Sequence, residues 1–260
     1  MKDKVIVITG ASSGIGAAFA EVAAARGAKL VLAARRQAEL AAVAGTLAGG
    51  PLVVPTDVTR RGDVERLRDR AIEGFGHIDV WINNAGRGIT RMVSELTDAD
   101  VDDMMTINVK SVLYGVQAVL PHFRQRQQGH VISVSSMLGR LAMAPMRSVY
   151  SAAKAAVNSL MASLRIELAQ AYPNIHVTSF MPGVVATEFG SNALHGGVDS
   201  RALPNAQPVD EVARVLADLV EQPRAERYSR PEYAQLVARY YTADDVATVE
   251  AGPPFRMPGR

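Results

Sequence analysis

The chain has 260 residues, 48% hydrophobic and 21% charged, with 28 Lys+Arg against 26 Asp+Glu and a formal net charge of +2. That make-up suits one large α/β domain with a well-buried core, and the scattered arginines give little electrostatic footing for nucleic acid. Zero cysteines leave no disulfide framework and no thiolate metal site, and no apolar run approaches the roughly 20 residues that a bilayer requires. Met1-Lys2-Asp3-Lys4 leads straight into an apolar run, so no signal peptide is expected, and the expectation is a cytoplasmic protein with no membrane partner.

In chain order, short apolar runs alternate with longer periodic segments, the pattern of a doubly wound parallel sheet with helices on both faces in a single α/β domain. The first strand is expected over 4–9. It runs directly into Thr9-Gly10-Ala11-Ser12-Ser13-Gly14-Ile15-Gly16 and then an alanine-rich helix over 14–26. Glycines there permit a tight turn and close approach of the backbone to a pyrophosphate, whose charge is favoured at a helix N-terminus. This is the start of a Rossmann-type unit. A strand over 29–33 then leads to Arg35 and Arg36. NAD-binding versions of the unit carry an acidic residue near that point for the ribose 2′-hydroxyl, whereas two arginines suit a 2′-phosphate, so NADP is the expected cofactor.

A helix over 36–47 and a strand over 52–55 lead to Asp57-Val58. A helix over 60–75 and a strand over 78–82 lead to Asn83-Asn84-Ala85-Gly86. One long helix is expected over 98–126. Its apolar stripe, including Val101, Met105, Val112 and Val116, takes in Asn108, and an amide on a buried face must find partners. The strand over 130–135 precedes Ser136, and the helix over 149–171 opens with Tyr150-Ser151-Ala152-Ala153-Lys154. Positions i and i+4 share a helix face, and the stripe Val157, Met161, Leu164 and Leu168 projects backwards onto both Tyr150 and Lys154. A lysine in line with a core-facing stripe breaks local rules in the way working sites do. A strand over 175–180 runs into Pro182-Gly183-Val184-Val185-Ala186-Thr187, followed by helices over 209–220 and 232–241. The domain is expected to occupy 1–250, with a flexible tail over 251–260 whose Pro253 and Pro254 suit neither helix nor central strand.

These motifs, in this order and at these strand ends, resemble the short-chain dehydrogenase/reductase family over roughly residues 4 to 190. The resemblance implies that Tyr150 is the general acid/base, that Lys154 assists it and holds the nicotinamide ribose, and that Ser136 polarises the reacting oxygen. It implies that Asn108 supports a water relaying protons to the lysine, and that Asp57 and Val58 meet the adenine. Asn84, Ala85 and Gly86 would line the cofactor ribose, while Pro182, Gly183, Val185 and Thr187 would meet the nicotinamide amide and phosphate. Ser136 and Tyr150 are 14 apart, one more than in many relatives, so the intervening loop carries an extra residue. The end of the chain departs as well, since many relatives finish on a glycine-rich strand.

The variable pocket is expected from residues 136–148, with Met137, Leu138, Leu141, Met143 and Met146, and from Phe189, Leu194 and Leu203 beyond Thr187. Methionine-rich walls adapt to irregular apolar shapes, so a hydrophobic ketone or secondary alcohol is the expected small-molecule substrate. Residues 190–204, with Gly196-Gly197, are expected to form a mobile lid. Small residues opposite the catalytic stripe, among them Ala152, Ala156, Ser159 and Ser163, permit close helix approach, and the family resemblance implies that this helix and the one opening at Asp98 form a homodimer or homotetramer. A cofactor-binding scaffold without turnover would show loss of Tyr150, Lys154 or Ser136, and none is lost. An epimerase or dehydratase would need a further acid/base pair, and none stands out.

Overall fold

The computed structural model describes residues 1–256. Its strands are β1 (Val5–Thr9), β2 (Lys29–Ala34), β3 (Leu52–Pro55), β4 (Val80–Asn83), β5 (Gly129–Val134), β6 (Ile175–Met181) and β7 (Glu226–Tyr228). They form one sheet in the order β3-β2-β1-β4-β5-β6-β7, every pair parallel. The helices are α1 (Gly14–Ala25), α2 (Gln37–Thr46), α3 (Arg61–Phe75), α4 (Asp98–Met105), α5 (Ser111–Arg126), α6 (Ser148–Leu168), α7 (Val209–Glu221), α8 (Pro231–Tyr241) and α9 (Val246–Glu250).

Alternation along each strand sorts side chains between two cores, because successive residues point to opposite faces. Val5, Val7, Val31, Trp81 and Val131 face the layer that holds buried residues of α3, α5 and α6. Ile6, Ile8, Leu32, Ile82 and Ile132 face the layer of α1, α2 and α7. Both faces are covered, which is why the central strands read as continuous apolar runs rather than alternating ones. Asp79, at the entrance to β4, accepts the Val5 amide at 2.8 Å and pairs with Arg126 at 3.1 Å. Among the described residues no helix is long and apolar enough to cross a membrane.

Three features differ from or add to the expectation. The long helix over 98–126 is interrupted by a π-helical stretch at Thr106–Lys110. Here Asn108 Nδ2 donates to the Met104 carbonyl at 3.1 Å and Ser111 Oγ to the Ile107 carbonyl at 2.6 Å, so side chains claim acceptors the helix ladder would use. Residues 226–228 form a seventh strand on β6, and α9 follows α8. Of the expected tail, residues 251–256 form turns in which Phe255 stacks on Tyr240 with ring centroids 5.4 Å apart, while 257–260 lie outside the described residues.

Candidate active site

The strand order reverses across β1 and β4, so the loops leaving their carboxyl ends diverge and open a crevice, the usual ligand position in doubly wound sheets. On one side lies the glycine-rich turn. Gly10 and Gly14 adopt φ of 67° and 57°, in the left-handed region that glycine enters without strain. Gly16 is glycine for space: a Cβ there would sit 2.4 Å from the Gly10 carbonyl oxygen and 2.6 Å from Asn84 Nδ2. Asn84 fixes this turn to the sheet by donating to the carbonyls of Thr9 (2.9 Å) and Gly10 (3.1 Å). The N-cap of α1, Ser13, makes no side-chain capping bond, and the first turn holds no acidic residue. Its amides therefore face the crevice without an anionic partner from the chain.

Arg36 reaches back over this turn, with Nη2 3.2 Å from Ser12 Oγ and 2.9 Å from Ser13 Oγ. Arg35 beside it is exposed. Asp57 has turned one carboxylate oxygen to the Thr59 amide and hydroxyl, at 3.0 and 2.7 Å. Val58 is buried against the core. From the far side Thr187 closes on the cradle, since a Cβ on Gly14 would lie 3.4 Å from its Cγ2. Val185 is held by pairing with Gln207, the Pro182 carbonyl accepts from the Met137 amide at 2.9 Å, and Gly183 lies under α8, where a Cβ would meet the Tyr233 hydroxyl at 2.4 Å. A crowded glycine turn, a helix N-terminus without a side-chain cap and a guanidinium over both fit a phosphorylated dinucleotide.

The second cluster lies at the ends of β4 and β5. Tyr150 and Lys154, in the first two turns of α6, are 6% and 3% exposed. Lys154 Nζ donates to the Val134 carbonyl at 2.9 Å and sits 5.6 Å from the Tyr150 ring centroid. A Cβ on Gly86 would lie 3.4 Å from that Nζ and 2.8 Å from Asn108 Oδ1, so lysine, asparagine and the Asn83–Gly86 turn meet at one point. Asn108, fully buried, has its amide committed: Oδ1 accepts from the Arg87 amide at 3.2 Å and Nδ2 donates to the Arg87 carbonyl at 3.0 Å. The π-helical stretch is what turns it toward this point rather than into the ordinary stripe.

Ser136 caps the short turn Met137–Gly139, its Oγ accepting from the Leu138 amide at 3.1 Å. The Ser-x-x-Gly spacing has a packing reason. A Cβ on Gly139 would lie 2.8 Å from the Lys154 carbonyl carbon, so only glycine lets this turn lie on α6. Asn158 secures the contact by donating to the Gly139 carbonyl at 3.1 Å.

Electrostatics of the pair are set by burial. Desolvation pushes the Tyr150 phenol up to about 12, and the nearby Ser136 hydroxyl and the Arg147 charge pull it partly back. Desolvation brings the Lys154 ammonium down to about 8. The offsets to that rise come from the Ser136 hydrogen bond and from the charge of Arg147, a residue the sequence pattern did not single out. Arg147, three residues before Tyr150, could have been found as a charge at the opening of the same helix.

The pocket stretch is divided. Met137 and Leu141 are buried, whereas Leu138, Met143 and Met146 are half-buried. Phe189 lies with its ring centroid 5.5 Å from that of Tyr150. The expected lid is anchored to the preceding loop: Leu194 pairs with Ile89, Thr90 Oγ1 donates to the Gly196 carbonyl at 2.6 Å, and His195 Nε2 meets Asp100 Oδ1 at 2.6 Å.

Residues 4–196 match the family model described as short chain dehydrogenase. The chain is 40% identical over 230 residues to an uncharacterised oxidoreductase of Listeria monocytogenes, covering 86% of this chain and 92% of that one. It is similar to the crystal structure of a short chain dehydrogenase/reductase from Burkholderia phymatum in complex with NAD, with a TM-score of 0.86, 26% identity and coverage of 100% of this chain and 98% of that one. It is also similar to a short chain dehydrogenase from Burkholderia cenocepacia in complex with NADP, with a TM-score of 0.81, 26% identity and 99% of each chain covered. The chain belongs to the short-chain dehydrogenase/reductase family.

Proposed function

We propose that this chain is an NADP-dependent reductase or dehydrogenase acting on the carbonyl or carbinol carbon of a substrate with a hydrophobic body. The coarser class, an NAD(P)-dependent oxidoreductase of CH–OH and C=O groups, follows from the family. The observation that carries the finer assignment is the convergence of Ser136, Tyr150 and Lys154 at the end of β5, facing the cradle over which Arg36 lies.

When bound, the nicotinamide supplies or accepts the hydride. The residues of the chain manage the oxygen and its proton. Ser136 donates to the substrate oxygen and stabilises charge developing there. Tyr150 passes its proton to that oxygen in reduction and receives one in oxidation. With the phenol up at about 12, the protonated form dominates near neutral pH, as an acid requires. Lys154, within reach of the Val134 carbonyl and of Gly86, holds the cofactor ribose and shares its charge with the phenol once that partner engages it. Asn108 fixes the Arg87 backbone and the entrance for a proton-relaying water.

Gly10, Ser12, Ser13, Gly14, Ile15 and Gly16 cradle the pyrophosphate, Arg35 and Arg36 take the 2′-phosphate, and Asp57 with Val58 meets the adenine. Asn84, Ala85 and Gly86 line the ribose, while Pro182, Gly183, Val185 and Thr187 hold the nicotinamide end. Exposed Ala152, Ser159 and Ser163 on α6 support a homo-oligomer, and the absence of cysteine accords with the cytoplasm. A screen of ketones and secondary alcohols, read as NADPH absorbance and repeated with NADH, tests the assignment. Turnover with a preference for NADPH is expected; a clear preference for NADH contradicts the role given to Arg35 and Arg36.

A further inference from the structure

The loop over 188–206 leaves the segment 182–187 and returns to it at Gln207, which pairs with Val185. There the Gln207 amide donates to the Val184 carbonyl at 2.8 Å, and the Gln207 carbonyl accepts from the Ala186 amide at 2.9 Å. In a parallel pairing of this kind the backbone of the middle residue, Val185, points the other way, away from Gln207. On that side the Val185 carbonyl takes the Thr187 amide at 2.8 Å, and the Val185 amide has no acceptor among the described residues.

The side chain of Gln207 completes the clamp. It is fully buried, so both ends of its amide require partners. Glu211, in the first turn of α7, has a carboxylate that only accepts, so Gln207 turns Nε2 to it at 3.1 Å and Oε1 faces the opposite way. Ser229, buried just beyond β7, must then donate, and its Oγ lies 2.5 Å from that Oε1. With its proton engaged there, Ser229 Oγ accepts from the Gly183 amide at 3.3 Å. Arg230 anchors the far end through a two-point pair with Glu211, at 2.8 and 3.0 Å. Every donor from Gly183 to Gln207 thus points toward one carboxylate, which the guanidinium neutralises, and such aligned chains polarise and strengthen one another. Gly183, Val184 and Ala186 are all held from the same side.

We propose that Gln207, together with Ser229, is a positioning residue for the cofactor: it fixes the backbone of 183–186 so that the nicotinamide end meets a preformed wall. This rests on the function proposed above, in which that segment holds the nicotinamide end. Gln207 acts through Gly183, Val184 and Ala186, and what it controls is the orientation of the ring, on which hydride transfer depends steeply. None of the bonds in the network reaches the Gly10–Gly16 turn or Arg36, so its loss should be felt at one end of the cofactor only.

The test compares binding of NADPH with binding of 2′-phospho-ADP-ribose, which lacks the nicotinamide, by calorimetric titration of the full-length protein. Gln207→Met keeps the length of the side chain and removes both polar ends. It should weaken NADPH about tenfold and 2′-phospho-ADP-ribose by no more than about twofold, as expected when one or two hydrogen bonds behind a single subsite are lost. Ser229→Ala removes one oxygen and leaves the Gln207 backbone pairing in place; it should give the same pattern at about fivefold, and it carries the test alone if Gln207→Met does not fold. With a ketone that the wild type reduces, kcat should fall about tenfold in Gln207→Met while the KM of the ketone moves by less than about threefold. Equal weakening of both ligands, or no change in either, overturns the proposal and leaves the network as a fastener of β7 to α7. Those outcomes leave the general function intact, whereas a wild type that binds neither ligand would remove the cofactor reading itself.

Discussion

The two sides of the cleft are made of different material. Beside β1 and β2 the chain presents backbone: glycines crowded to within 2.4 Å of where a Cβ would stand, and an uncapped helix end. Beside β5 and β6 it presents buried side chains whose ionisation burial displaces, a phenol up to about 12 and an ammonium down to about 8. In the function proposed above, the backbone side holds the polyanion of the cofactor. In the same proposal, the side-chain side moves the proton.

That division predicts different failures on the two sides. The largest effect belongs to Tyr150→Phe, which should lower kcat by about a thousandfold, within the range for a lost general acid, while fluorescence titration finds NADPH affinity nearly unchanged. Next comes Gly16→Ala. Its Cβ would meet the Gly10 carbonyl and Asn84 Nδ2, so the turn must open, costing about 1–3 kcal/mol in urea unfolding and most of the cofactor affinity. Loss of turnover in Gly16→Ala with NADPH affinity intact would break the comparison.

The third prediction concerns pH and stability in the ligand-free chain. Lys154 sits at about 8 when folded, below its ordinary value, so between about pH 8 and 10.4 the unfolded chain holds a proton the folded chain has released. Stability from this group therefore rises with pH through that window. Tyr150, held at about 12, acts in the opposite sense: above about pH 10 the folded chain keeps a proton the unfolded chain loses, and stability falls. Urea midpoints across the range should show Lys154→Met flattening the rising limb and Tyr150→Phe flattening the falling one. Unchanged limbs would mean that neither group is desolvated as described. The smallest effect is expected from Arg36→Ala, which should weaken NADPH about tenfold, one charge-assisted contact, and leave NADH almost untouched.

Legibility in the sequence followed the same division. Glycine is the residue of crowded or left-handed backbone, so the cradle at Gly10, Gly14 and Gly16 announced itself, as did six strands buried on both faces. Tyr150 and Lys154 were visible because a polar pair in line with an apolar stripe is costly without a purpose. The π-helical stretch at 106–110 was hidden, because helix periodicity continues on either side and the extra residue shows only through the bonds of Asn108 and Ser111. β7 was too short and too polar, Glu-Arg-Tyr, to stand out as a strand; it exists because β6 offers an open edge. The anchoring of residues 190–204 was also hidden, since a glycine pair signals freedom while His195, Thr90 and Leu194 supply contacts from a distance. Arg147 was missed for a related reason: an arginine at a helix start is ordinary until its charge is seen to lie near the Tyr150 phenol.

The most direct measurement is a crystal structure of the chain with NADP and a non-reactive carbonyl analogue. The account predicts the analogue's oxygen within hydrogen-bond reach, about 2.6–3.2 Å, of both the Tyr150 hydroxyl and Ser136 Oγ, with its carbon facing C4 of the nicotinamide. An analogue bound away from Tyr150, or a cofactor whose pyrophosphate lies off the Gly10–Gly16 turn, would contradict it.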